Sequence, residues 1–147
     1  MISIASDHGG FDLKEVVIEH LKEQGHEVKD YGTYSKESCD YPDYAGPAAE
    51  AVANGEAEKG IVICTTGIGV SMTANKVAGI RCALCHDVTT ARLTREHNDA
   101  NVLAIGAGVV GENVALDIVD TFLATKFSEG ERHARRVAKI AEYDKKR

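Results

Sequence analysis

Long hydrophobic runs are missing from this sequence. No apolar stretch approaches the roughly 20 residues of a bilayer-spanning helix, so a membrane-embedded role is not expected. An excess of positive charge is missing too: 17 Lys and Arg face 23 Asp and Glu, for a formal net charge of -6. Nucleic-acid-binding domains carry a basic footprint, so no nucleic-acid partner is expected. Proline occurs twice, at Pro42 and Pro47, and cysteine four times, at 39, 64, 82 and 85. Met1 leads through ISIAS directly into the charged DHGG, with no signal-peptide pattern. The cytoplasm is therefore the expected location, and the thiols are expected to be reduced and unpaired. No internal repeat, low-complexity tract or linker breaks the chain, and 147 residues suit one domain, expected over 1–147.

The sequence does contain short β-like runs alternating with longer amphipathic segments. Strands are expected over Ile2–Ser6, Glu27–Tyr31, Gly60–Cys64, Arg81–Cys85 and Val102–Gly106. The segment FDLKEVVIEHLKEQG places Leu13, Val16, Val17 and Leu21 on one helical stripe and Gly25 at a C-terminal cap. Further helices are expected at 42–55, 69–77, 88–97, 112–125 and 129–144, the first of these starting irregularly because it holds both prolines. Apolar strands separated by helices imply an α/β fold with a parallel sheet covered on both faces. Ligands in such folds gather at the carboxyl ends of the strands. Those ends carry Asp7-His8-Gly9-Gly10, Asp30-Tyr31-Gly32, Cys64-Thr65-Thr66-Gly67-Ile68-Gly69, His86-Asp87 and Gly106-Ala107-Gly108, with His97-Asn98-Asp99 at a helix end before the fifth strand.

Two familiar motifs fail on context. A dinucleotide turn needs G-x-G-x-x-G after the first strand; this chain has DHGG there, and the glycine pair Gly67 and Gly69 lacks the third glycine. Cys82-Ala-Leu-Cys85-His86 matches a haem-attachment string, but no export signal accompanies it, and no second ligand pair completes a zinc site. On a strand, residues three apart point to opposite faces, so Cys82 and Cys85 are expected to be packing residues.

Cys64 differs by position: it ends an apolar strand before a glycine-containing turn, where its thiol can emerge at the ligand rim. The amides from Thr66 to Gly69 can point into a cavity as an oxyanion cradle. His97 sits in Arg-Glu-His-Asn-Asp-Ala-Asn, which is either a reactive cluster or a polar helix end. Asp7 either orients His8 or caps the first helix. Near the C-terminus, seven Lys and Arg face two acids between Arg132 and Arg147. Ser128-Glu129-Gly130-Glu131 fits a capping box. Arg132 and Arg136 then share one face near the helix's amino end, where cations oppose the helix dipole, so a bound anion is expected between them, and Val137, Ala138 and Ala141 form a packing stripe alongside.

Taken together and in order, DHGG, DYP at 40–42, CTTGIG, ANK at 74–76, GIR at 79–81, REHNDANVLAIG at 95–106 and GERHARR at 130–136 resemble the type B ribose-5-phosphate isomerases and their galactose-6-phosphate isomerase relatives, over nearly the whole chain. The resemblance implies a three-layer α/β/α sandwich around a five-stranded, Rossmann-like parallel sheet. It implies a cofactor-free and metal-free aldose–ketose isomerase acting on a phosphorylated sugar, as a homodimer or dimer of dimers with active sites at the interface. By the same resemblance Cys64 is the base, Thr66 the hydroxyl beside it, and His97, from the neighbouring subunit, the ring-opening group. His8, Arg132 and Arg136 match phosphate contacts, the arginines lying in the C-terminal helix at about 129–144. Asp7, Tyr41 and Asn98 match sugar-pocket positions, and Gly67, Ile68 and Gly69 the loop that holds the enediolate. One departure stands out: many relatives carry arginine where this chain has Gly108. That leaves room for another substrate, such as allose 6-phosphate, galactose 6-phosphate or a tetrose phosphate. A non-catalytic phosphosugar- or nucleotide-binding module would need Arg132 and Arg136 but not Cys64 or His97.

Overall fold

The computed structural model describes every residue from Met1 to Arg147. Its strands are β1 (Ile2–Ser6), β2 (Val28–Asp30), β3 (Lys59–Cys64), β4 (Cys82–Leu84) and β5 (Val102–Gly106). They pair in parallel throughout, in the order β2-β1-β3-β5-β4. The helices are α1 (Phe11–Glu23), α2 (Pro42–Ala53), α3 (Ile68–Asn75), α4 (Val88–Asn98), α5 (Glu112–Ala124) and α6 (Glu131–Glu142), the last followed by a single-turn 3-10 helix, Tyr143–Lys146. None is long and apolar enough to cross a membrane.

Side chains alternate across a strand, and here both faces are apolar. Ile4, Ile61, Ile63, Leu103 and Ile105 pack against α1, α4 and α5, where Val17, Leu21, Ile118 and Phe122 are fully buried. The alternate residues Ala5, Val62, Cys64 and Ala104 meet α2 and α3 through Ala45, Ala48, Ala49, Val70 and Ala74. Two cores therefore sandwich the sheet, giving three layers. Each buried Ile, Leu or Phe contributes about 1.5–3 kcal/mol.

The expected strands differ by one residue at some ends: the central β3 starts one residue early, at Lys59, and the edge strands β2 and β4 are each one residue shorter at both ends. Residues 27, 31 and 85 still take part in hydrogen bonds with a neighbouring strand, from Ile2 N–H to the Glu27 carbonyl, from Tyr31 N–H to Ile4 and from Cys85 N–H to Ala104, so the difference is one residue of regular geometry at each end. Gly25 closes α1 as expected: its φ is +87°, and the Gly25 and His26 amides return to Lys22 and Leu21. The expected irregular start of α2 is not found. Pro42 occupies the first turn, where no N–H is needed, and Pro47 lies inside the helix on its exposed side.

The capping box at α6 is also not found. Gly130 precedes the first turn without a side-chain bond. Ser128 instead turns its amide and hydroxyl to the Glu96 carbonyl, at 3.1 and 2.7 Å, tying the segment before α6 to the end of α4. Nor is there a packed stripe: Ala138 and Ala141 are exposed, Val137 is half-buried, and α6 contains no buried residue.

Candidate active site

The chain leaves β1 toward β2 on one side and leaves β3 toward β4 on the other. This change of direction opens a crevice at the carboxyl ends of β1 and β3. Ser6 pairs with Ile63, and Cys64 with Gly106, so three adjacent strands end at one level. Main-chain bonds then draw their loops together: Asp7 N–H donates to Ile63, Ala107 N–H to Cys64, and Gly108 N–H to Thr65.

Cys64 is 6% exposed at the end of β3. Its sulfur accepts a hydrogen bond from the Gly67 amide at 3.1 Å. Gly67 can aim that amide because its φ is +77°, a left-handed conformation that costs other residues about 1–2 kcal/mol. A Cβ there would also lie 2.5 Å from Leu84 Cδ1 and 2.8 Å from the Ile105 carbonyl carbon. The Ile68 amide donates to the Thr66 hydroxyl at 3.2 Å. The cradle expected over Thr66 to Gly69 is thus partly self-satisfied, with one amide committed to the sulfur. Tyr41 covers the far side of this loop; a Cβ on Gly69 would come within 2.6 Å of its ring.

Across the crevice, the carboxylate of Asp7 accepts from the Gly9 and Gly10 amides at 2.9 and 3.1 Å, so capping is the role its geometry favours. His8 is exposed, and its Nδ1 accepts from the Cys39 amide at 3.2 Å. An acceptor at Nδ1 makes Nε2 the proton-bearing nitrogen of the neutral ring.

His97, Asn98, Arg132 and Arg136 lie elsewhere. Helix α4 runs back against the strand direction, so its last turn reaches the opposite rim. The Asn101 carbonyl, just beyond it, accepts from Gly60 N–H near the start of β3. Cys64 is four residues further along that strand, about 13 Å away by strand rise. The His97 ring stacks on His133 of α6, with centroids 4.4 Å apart and planes 7° from parallel. Desolvation, followed by the charges of His97, Arg132 and Arg136, holds His133 below its ordinary range. Both arginines are exposed. Asn98 borders a cavity of about 260 Å³ beside β4, together with Arg81, Cys82 and Ile140. The expected residues therefore fall into two groups at opposite rims: Cys64, Thr66, Gly67, Ile68, Gly69, Asp7, His8 and Tyr41 at one, and His97, Asn98, Arg132 and Arg136 at the other.

Cys82 and Cys85 face opposite cores. Burial pushes both thiols up, with Cys85 adding to the rise at Cys82 and a hydrogen bond from Thr90 opposing that at Cys85. The sequence pattern passed over Lys14. Its side chain is fully buried, its Nζ 2.7 Å from Asp30 and 3.1 Å from Glu15, with the Phe11 and Tyr34 rings 5.3 and 5.6 Å away. Its spacing to Val17 and Leu21 was the available signal. Asp30, the acid a dinucleotide site would have used, is committed to Lys14 and to the Gly32 amide.

The sequence model of the Ribose/Galactose Isomerase family matches residues 2–140. The chain is 49% identical to ribose-5-phosphate isomerase B of Escherichia coli over 146 residues, covering 99% of this chain and 97% of that one. It is 46% identical to the galactose-6-phosphate isomerase subunit LacB of Clostridium acetobutylicum, over 86% of this chain and 73% of that one. Among solved structures, ribose-5-phosphate isomerase B of Clostridium thermocellum superposes with a TM-score of 0.96 at 56% identity, covering 99% of this chain and 97% of that one. The chain belongs to the ribose/galactose isomerase family.

Proposed function

We propose that this protein interconverts ribose 5-phosphate and ribulose 5-phosphate through an enediolate. The observation that carries the reading is a near-buried thiol, Cys64, with the Gly67 amide aimed at its sulfur at the mouth of the crevice, in a chain 49% identical to a ribose-5-phosphate isomerase B. In the proposed reaction the Cys64 thiolate takes the C2 proton of the open-chain aldose. The electron pair left at C2 forms the C1–C2 double bond, and charge collects on O1. Amides of the Gly67, Ile68 and Gly69 loop, with the Thr66 hydroxyl, stabilise that charge. Cys64 returns the proton to C1, the O2 hydroxyl proton passes to O1, and the ketose results. His97 opens the furanose by carrying the anomeric hydroxyl proton to the ring oxygen, a transfer suited to imidazole.

His8 through Nε2, Arg132 and Arg136 hold the phosphate, so binding energy remote from C1 and C2 orients the reacting carbons. Asp7, Tyr41 and Asn98 line the sugar pocket. Because Cys64 and His97 lie at opposite rims of one chain, the reading includes a two-fold dimer in which each site joins the Cys64 group of one subunit to the His97 group of its partner. Helix α6 supports this, since it has no buried residue and leaves Ile140 exposed, as is Tyr143 just beyond it. The proposed setting is the cytoplasm.

The test is ketose formation by the purified chain from phosphorylated aldoses of four, five and six carbons. Highest kcat/KM on ribose 5-phosphate is expected. Turnover of none of them would refute the assignment, and preference for a tetrose or hexose phosphate would move it to that substrate.

A further inference from the structure

Three loops meet at Thr65, which no role above uses. Gly9 and Gly108 lie on either side of it, and neither has a positive φ, so backbone conformation does not require glycine at these positions. Thr65 does. A Cβ on Gly9 would collide with Thr65 Oγ1, and a Cβ on Gly108 would stand 2.9 Å from Thr65 Cγ2 and 3.1 Å from its carbonyl oxygen. The Thr65 side chain is therefore wedged between the first and fifth loops, directly after Cys64. It is exposed toward the rim, and its hydroxyl is not the one that receives the Ile68 amide. Behind the wedge, Gly9 and Ala107 form part of the wall of a cavity of about 360 Å³ between α1 and α5, with Asp12 and Glu112 at its polar edge.

We infer that Thr65 is a specificity-determining residue: its side chain closes the crevice off from the α1–α5 cavity and so limits the length of the phosphorylated aldose the site accepts. The inference rests on the isomerase reading. Thr65→Gly takes the side chain out from between Gly9 and Gly108 and widens the crevice toward the cavity, which favours a substrate longer by one hydroxymethylene unit. Thr65→Val keeps the shape and removes only the hydroxyl.

The experiment measures kcat and KM of the full chain and of Thr65→Gly and Thr65→Val with erythrose 4-phosphate, ribose 5-phosphate and allose 6-phosphate. In Thr65→Gly the ratio of kcat/KM for six carbons to that for five rises about tenfold, mainly through KM, the scale of discrimination that one methylene carries. Thr65→Val keeps the wild-type ratio. A ratio changed by less than about twofold in Thr65→Gly, or an equal shift in Thr65→Val, overturns the inference. A stability cycle tests the contact independently of turnover: Gly108→Ala lowers the melting temperature in the wild-type background and costs less beside Thr65→Gly. Equal cost in both backgrounds overturns the wedge. A wild-type chain inactive on all three sugars overturns the isomerase reading and the specificity role together, while the cycle still reports on the contact.

Discussion

The Gly67 amide donates to the sulfur of Cys64 across 3.1 Å, from a residue held in the left-handed region at φ +77°. In the proposed reaction, a donor fixed on the sulfur before substrate arrives needs no rearrangement during proton transfer, which is the value of a pre-organised site. Alanine at 67 has to adopt the same φ with its Cβ against Leu84 and Ile105. Gly67→Ala is therefore expected to destabilise the protein by at least about 1–2 kcal/mol and to lower kcat. Urea unfolding alongside kinetics checks both; a variant as stable and as active as wild type would show that the loop does not depend on this conformation.

Cys64→Ala is expected to lose about 10²–10⁴-fold in kcat, the usual contribution of a positioned acid–base group, while still binding a phosphorylated sugar acid in titration calorimetry. A related chemical test uses limiting iodoacetamide. Burial pushes the Cys82 and Cys85 thiols up and leaves them poor nucleophiles, so peptide mapping should find them unmodified when activity is lost. Alkylation at Cys64 that ribose 5-phosphate prevents is the expected pattern.

Arg132→Ala and Arg136→Ala each remove a proposed charge-assisted bond to phosphate, of about 1.5–3 kcal/mol. Each should raise KM by roughly tenfold or more and change kcat less, because the lost contact is remote from the reacting carbons. Wild-type KM in both variants would refute the clamp.

His133 is expected to give the fold a pH dependence whose sign follows from its surroundings. Desolvation, then His97, Arg132 and Arg136, hold it below its ordinary 6.5. Between its folded value and 6.5 the unfolded chain binds more protons, so stability rises with pH there. The contribution is complete above pH 6.5 and is lost as pH falls toward the folded value. Thermal melts of wild type and His133→Gln should converge above that pH and separate below it, with wild type losing more. Parallel curves would remove His133 as the cause.

Lys14→Met breaks a buried ion pair and leaves Asp30 with only its amide bond. Loss of one partner from a buried pair costs about 3–5 kcal/mol; Asp30 keeps 28% side-chain exposure, which places the expected cost near about 3 kcal/mol. Guanidinium denaturation measures it, and a neutral result would show that Asp30 is adequately solvated without Lys14.

The architecture was legible in the sequence because its signals are local. Apolar runs alternating with helical stripes specify a covered parallel sheet, and Gly25 marked the end of α1 by a backbone requirement that acts within one turn. Lys14 escaped because a lysine on an apolar stripe looks like a solvated residue until Asp30, 16 positions away, is brought to it. Ser128 was misjudged for a similar reason. Its capping motif is local, but its amide and hydroxyl donate to Glu96, 32 positions away, and that anchor holds Ser128 two residues ahead of Gly130, the residue that takes the cap position of α6.

By itself, then, the sequence determined the α/β class, the strand ends that carry polar groups, the identity of the thiol and arginine candidates, and the family. Only the tertiary structure decided how those candidates are grouped. Whether Cys64 and His97 share a rim depends on the direction in which α4 returns along the sheet, and the wedge at Thr65 depends on loops that meet from three strands. Hydrophobic period and turn chemistry act over a few neighbouring residues and are written into the chain. Proximity between distant segments is set by strand order and crossover direction, which emerge when the whole sheet assembles.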